Sequence, residues 1–329
     1  MLKIVALSIL IWTVNCQMGP PPGGMMTECD EVCDYTMMYK ADVYTEEDPN
    51  YIVVRTSTCP PYGDGTRGWN NPGDACVRHT NYYIPKEPFS SNTPIPVGEE
   101  HSEYNSITYL KEDPRPVFGA IGVLVNGVNI FGVGSPCGFG SSCPNEDPNA
   151  PSVYVDAVDS EGQTLDECAG HSNPITGYHI HAGFNIDNNT QRTRCSLPND
   201  EDGKHSALLG WMFDGHAIYG MRSLNGIVPD DLDNCSGHTH EINGKEVYHY
   251  HLPASYPWII GCFKSCPYQN NNPMEFNNLV YADGDPYGCE GMLPEAVFVP
   301  DAGNGATARA TGTALAGLVA LFMCIMVVM

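Results

Sequence analysis

Apolar and polar positions alternate along this chain in short runs separated by turn residues. The clearest pattern lies at Gly122 to Gly132, GVLVNGVNIFG, where two apolar runs flank Asn126-Gly127. It returns at Gly210 to Gly220, GWMFDGHAIYG, around Asp214-Gly215. Asn-Gly and Asp-Gly between apolar runs predict tight β-hairpins with type I′ turns, whose two central residues take positive φ. After each hairpin comes a strictly alternating element, Tyr178-His179-Ile180-His181 and Tyr248-His249-Tyr250-His251. On a strand, alternation puts both histidines of each element on one face and their Tyr or Ile neighbours on the other.

Between hairpin and alternating element lies a further pair of relatives, Leu-Asp-Glu-Cys-Ala-Gly-His at Leu165 to His171 and Leu-Asp-Asn-Cys-Ser-Gly-His at Leu232 to His238. Each copy closes on a lone cysteine, and the intervals from Cys168 to Cys195 and from Cys235 to Cys262 are both 27. The same elements in the same order imply a tandem duplication. The first copy carries an insertion between Gly132 and Leu165, with Cys137 and Cys143, that the second lacks. Equal spacing predicts one disulfide within each copy, Cys168 with Cys195 and Cys235 with Cys262, although spacing alone leaves other pairings open. The predicted fold class is mainly β: duplicated β-hairpin-containing units about a pseudo-twofold axis, disulfide-rich and with long loops.

Composition agrees and adds a compartment. The 329 residues include 34 Gly and 27 Pro, which favours a loop-rich protein over a helical bundle. With 39 Asp plus Glu against 15 Lys plus Arg, the net charge of −24 excludes a nucleic-acid binder, because the chain repels phosphate backbones. Residues 1–16 read as a secretory signal: an early cation, an apolar run from Ile4 to Val14 and a small polar stop. Residues 305–329 read as a glycosylphosphatidylinositol-anchor signal following attachment at Asn304, or as a transmembrane tail. Both readings put the body in the secretory pathway and at the cell surface, tied to the membrane by a lipid anchor or a C-terminal helix. In that oxidising space the 12 cysteines left after removing Cys16 and Cys324 from the 14 would pair. The sequon at Asn188 is a glycosylation site in such a compartment. Residues 17–115 form a Cys-, Pro- and Tyr-rich region, 116–267 the duplicated domain, and 268–304 a loop-rich C-terminal region.

Histidine carries the chemistry. Nine of the 11 fall between His171 and His251. Two imidazoles at i and i+2 on a strand can face a common centre, so His179, His181, His249 and His251, with His171 and His238, are candidate ligands in two sets. Imidazole donors suit copper or zinc, and an open ligand position would permit oxidative copper chemistry or metal-water hydrolysis. Asp166 and Asp233 could orient a ligand by holding its second ring N–H, or cap a turn through their own backbone. Tyr178, Tyr248 and Tyr250 join them as supporting residues. His216 and the extra pair His238-Thr239-His240 break the symmetry of the copies. The alternative class is a disulfide-rich surface or matrix module whose His/Tyr cluster is a hydrogen-bonded network without metal.

These residues resemble the YHYH-domain proteins. The resemblance rests on Tyr248 to His251, Asp214 to Gly220, Leu232 to His238 and Ile260-Gly261-Cys262, and it spans roughly 116–267. The first copy departs from the pattern, with Ile180 where the second motif tyrosine stands. The resemblance implies a domain and its extent, and no particular reaction or protein partner.

Overall fold

In the computed structural model short segments near the N-terminus form an antiparallel sheet of β1 (Asp42–Tyr44), β2 (Tyr51–Thr56) and β3 (Thr80–Pro85). Strand β4 (Phe89–Pro96) pairs with the last strand, β15 (Cys262–Cys266). The described residues are 31–62, 75–97, 119–136, 154–173, 176–183, 189–242, 244–253, 258–272, 285 and 287–290. The expected signal segment, Cys137, Cys143, Asn188, Asn304 and the C-terminal tail lie outside them. The chain divides into units 1–294 and 295–329, the second wholly outside the described residues.

Both predicted hairpins form. The first joins β5 (Ala120–Leu124) to β6 (Asn129–Phe131). A short ribbon of β7 (Gly134–Pro136) and β8 (Tyr154–Asp156) leads into helix α1 (Ala157–Glu161), then β9 (Gly170–Asn173) and β10 (Gly177–Ile180). After helix α2 (Asn189–Arg194) the second hairpin joins β11 (Leu208–Met212) to β12 (Ala217–Tyr219). Strands β13 (Gly237–Ile242) and β14 (Lys245–His251) follow. The central eight-stranded sheet runs β13-β14-β12-β11-β5-β6-β10-β9. Outward from the antiparallel β11/β5 pair, each side reads hairpin partner, parallel strand, antiparallel edge.

The turns differ from the type I′ expectation. Gly127 and Gly215 have φ of 86° and 96°, but neither Asn126 nor Asp214 has positive φ. Each loop instead has three residues. Leu124 N–H reaches Val128 C=O at 2.9 Å, and Gly127 N–H closes on Leu124 C=O at 2.9 Å, with Met212, His216 and Gly215 repeating the pattern. The cause is the side chain: Asn126 and Asp214 accept the N–H two residues on, from Val128 at 3.1 Å and His216 at 3.3 Å.

One buried cluster joins Ile121, Val123, Ile130 and Ile218 of the large sheet to Val54 and Ile84 of the small one. Tyr82 stacks on Phe213 with ring centroids 4.9 Å apart. Residues that show no periodicity in the sequence thus help complete the core. The bridges Cys168–Cys195 and Cys235–Cys262 form as the spacing predicts, and Cys33–Cys59 and Cys266–Cys289 join them. These four disulfides fit an extracellular protein.

Candidate metal centres

The Leu-Asp-x-Cys-x-Gly-His element is a folded device that delivers its histidine. Asp166 Oδ1 accepts the backbone N–H of Cys168 at 2.8 Å and of Gly170 at 3.2 Å, and Asp233 Oδ1 accepts those of Cys235 and Gly237 at 2.9 and 3.2 Å. The residue before each glycine turns through positive φ, 61° at Ala169 and 62° at Ser236. The glycine must be bare, because a Cβ on Gly170 would sit 2.5 Å from the Tyr178 hydroxyl and one on Gly237 2.2 Å from that of Tyr248. Those hydroxyls donate back to the same carboxylates, Tyr178 to Asp166 at 2.7 Å and Tyr248 to Asp233 at 3.0 Å. Asp and Tyr therefore lock the turn from one side while His171 and His238 start a strand facing the other. Burial pushes the Asp166 carboxyl up, against the lowering effect of its Tyr62, Tyr178 and backbone donors.

Strand pairing then assembles the histidines. His171 on β9 lies opposite His179 on β10, and His238 on β13 lies opposite His249 on β14. Opposed residues bring their Cβ atoms within about 5 Å, and the i+2 residues His181 and His251 share the face. In the first cluster His171 Nε2 is 3.0 Å from His179 Nε2, which is 3.1 Å from His181 Nε2. Glu161 Oε2, at the end of α1, stands 3.2 Å from His171 Nε2 and 3.4 Å from His181 Nε2. A tetrahedral ion bound at about 2.0–2.1 Å spaces neighbouring donors by roughly 3.3 Å.

The outer nitrogens fix the tautomers. His179 Nδ1 donates to Gly177 C=O at 3.0 Å and His181 Nδ1 to Gly132 C=O at 3.4 Å. His171 Nδ1 donates at 2.6 Å to Thr164 Oγ1, whose own proton goes to Glu161 C=O at 2.7 Å. With the proton on Nδ1, each Nε2 presents a lone pair. In that tautomer three buried Nε2 atoms and the Glu161 carboxylate converge as candidate metal donors. Burial, the largest effect, holds His179 well below the ordinary imidazole range and His181 down at about 4, so both are neutral at pH 7. Phe131 stacks on His179 at 3.8 Å and fixes the ring plane.

The second cluster repeats this frame with different surroundings. His249 Nδ1 donates to Val247 C=O at 3.0 Å, His251 Nδ1 to Gly220 C=O at 2.6 Å and His238 Nδ1 to Asp231 Oδ1 at 2.8 Å. His251 Nε2 lies 3.2 Å from His238 Nε2. Two more imidazoles enter: His205 Nε2, 3.3 Å from His249 Nε2, and His240 Nδ1, 3.2 Å from His238 Nε2. Burial lowers His249 to about 3 and His251 to about 4. Donor atoms of His171, His179 and His181, of His238, His249 and His251, and of His205, His240 and His249 lie within 4.8 Å of one another in each group.

All six candidate histidines thus gather, three to a cluster, and Glu161, His205 and His240 join them. No motif marks Glu161, which sits between Gly132 and Leu165, or His205, which stands alone before β11. The groups facing His171 and His238 through Nδ1 are Thr164 and Asp231, seven residues upstream in each case. Asp166 and Asp233 instead hold backbone and tyrosine, the turn-capping role of the two considered. Tyr250, on the far face from the histidines, donates to Asp214 at 2.5 Å, and Asp214 also accepts Lys264 and Ser265 N–H at 3.0 and 3.1 Å. His216 lies apart from both clusters, with Nδ1 at 3.1 Å from Tyr248 C=O and Nε2 at 2.9 Å from Ser265 Oγ.

Residues 111–228 match the family model described as YHYH protein. The match takes in the first cluster with Tyr178-His179-Ile180-His181 and ends before Tyr248, so it covers less of the second copy than the 116–267 resemblance. No curated protein and no solved structure matches the chain.

Proposed function

We propose that this chain, which carries a YHYH domain over residues 111–228, is a cell-surface protein that binds one transition-metal ion, copper or zinc, in each histidine cluster. The observation that carries the reading is the meeting of three Nε2 lone pairs and the Glu161 carboxylate in a buried space. Donation from His179 and His181 Nδ1 to Gly177 and Gly132 C=O favours the tautomer in which their Nε2 atoms face the shared space as acceptors. Neutral imidazoles with one carboxylate are a donor set for zinc or copper. Repeated elements, matching outward strand order and equivalent Nδ1 partners support descent of the two halves from one duplicated unit about a pseudo-twofold axis. The disulfides, the leader-like start and the tail 305–329 support export and membrane anchoring, through lipid or a helix. No helix among the described residues is long and apolar enough to cross a membrane.

The test is to purify the full chain, equilibrate it with copper and with zinc, remove free ion and measure bound metal by elemental analysis. Two ions per chain are expected, falling to one in His179→Ala and in His249→Ala and to none in the double variant. A folded wild-type chain that stays metal-free would overturn the reading and leave the disulfide-rich surface module.

A further inference from the structure

The two clusters share a frame and differ in what completes it. In the first, Glu161 supplies a fourth donor to three imidazoles that are each no more than 3% exposed. In the second, five imidazoles gather where a tetrahedral ion takes four donors. They fall into two overlapping sets: an inner one of buried His238, His249 and His251, and an outer one of half-buried His205 and His240 with the same His249. His249 offers only Nε2, because Nδ1 is committed to Val247 C=O. One lone pair cannot hold two ions, so the sets describe two positions for one ion. Tyr219 packs T-shaped against both His205 and His249, at centroid distances of 4.6 and 5.2 Å, beside the ligand common to the two sets.

Resting on the metal-binding reading above, we propose that the second cluster exchanges its ion in two steps while the first, whose three imidazoles are buried, exchanges its ion slowly. His205 and His240, with His249, capture the ion at the surface. It then passes inward to His238 and His251 by replacement of one imidazole at a time, with His249 as the ligand common to both positions. Each step breaks one metal–nitrogen bond as another forms, with no change of oxidation state, so zinc alone can make the passage.

Stopped-flow mixing of the metal-free full chain with zinc held by a chromogenic chelator tests this, with elemental analysis fixing stoichiometry. Wild type should load one ion fast and one slowly. His205→Ala combined with His240→Ala should still bind two ions at equilibrium, with affinity changed by about tenfold at most, the lower end of what outlying partners contribute. Its fast loading, and the matching release to a chelator, should slow by about tenfold or more. His238→Ala with His251→Ala should keep a weak, rapidly exchanging ion. Loss of the second ion in the outer variant would mean a single five-histidine site, and unchanged rates would make His205 and His240 bystanders. Either result overturns this proposal while leaving metal binding intact, whereas a wild type that takes up no zinc overturns the reading beneath it.

Discussion

Glu161→Gln should move the metal-free and metal-bound proteins in opposite directions. The carboxylate sits 3.2 and 3.4 Å from the Nε2 atoms of His171 and His181, and it is replaced by an amide of the same shape. At pH 7.5 His181 is neutral, its imidazole held near 4, so the metal-free protein faces an anion against buried lone pairs. The amide N–H of glutamine can donate to one of those lone pairs, a gain of about 1 kcal/mol. In a chain of this size that raises Tm by roughly 2–4 °C. Zinc loses the one anionic donor that the described residues bring to the first cluster, and affinity there should fall by about 10–100-fold, or roughly 1.4–2.7 kcal/mol. The second cluster keeps its ion. Thermal unfolding with and without chelator, beside a zinc competition titration, reads both effects. A variant less stable without metal and unchanged in affinity would refute the argument, since that is what a structural Glu161 predicts.

Four further outcomes follow from the same geometry. The metal-free protein should lose stability as pH falls from about 6.5 to 4, because His181 protonates in the unfolded chain before its folded pKa of about 4 is reached; stability is full above that window, and His181 alone accounts for on the order of 3 kcal/mol. A flat unfolding profile across that range would contradict the burial of neutral imidazole. Gly170→Ala should cost about 1–3 kcal/mol, because the new Cβ meets the Tyr178 hydroxyl at 2.5 Å and His179 C=O at 2.7 Å, as denaturant melts would show. Tyr250→Phe strips a donor from buried Asp214 and should cost about 1–3 kcal/mol while leaving zinc affinity within error of wild type. Replacing Cys235 and Cys262 together by Ser should cost about 2–4 kcal/mol in chemical denaturation.

Much of this was legible because it is local. The hairpins announce themselves through Asn126-Gly127 and Asp214-Gly215, and alternation in Tyr-His-x-His assigns two imidazoles to a face before any pairing is known. Equal cysteine intervals of 27 likewise point to both bridges before any pairing is known. The turn class was harder to read. Asn126 and Asp214 tolerate positive φ, but their side-chain acceptors favour the competing loop by capping the N–H two positions on. Asp166 and Asp233 show the same competition: a carboxylate near a histidine in sequence is nearer still to its own backbone.

Glu161 and His205 carry no local motif because each joins its cluster through chain geometry, whereas His240 stands in the pair His238-Thr239-His240 that already breaks the symmetry of the copies. Glu161 stands at the end of a five-residue helix inside the segment between Gly132 and Leu165, most of which has no counterpart after the second hairpin. The insertion therefore changes the chemistry of the first cluster, adding a partly exposed carboxylate to three buried imidazoles. The second copy, without it, keeps the three framing imidazoles and has two others reach the same face from β13 and from the segment before β11. Departures from the repeat, rather than the repeat itself, distinguish the two centres. The shared Asp, Gly and Tyr positions build the frame in both, so substitutions there should disturb both clusters through folding, whereas substitutions at Glu161, His205 or His240 should separate them.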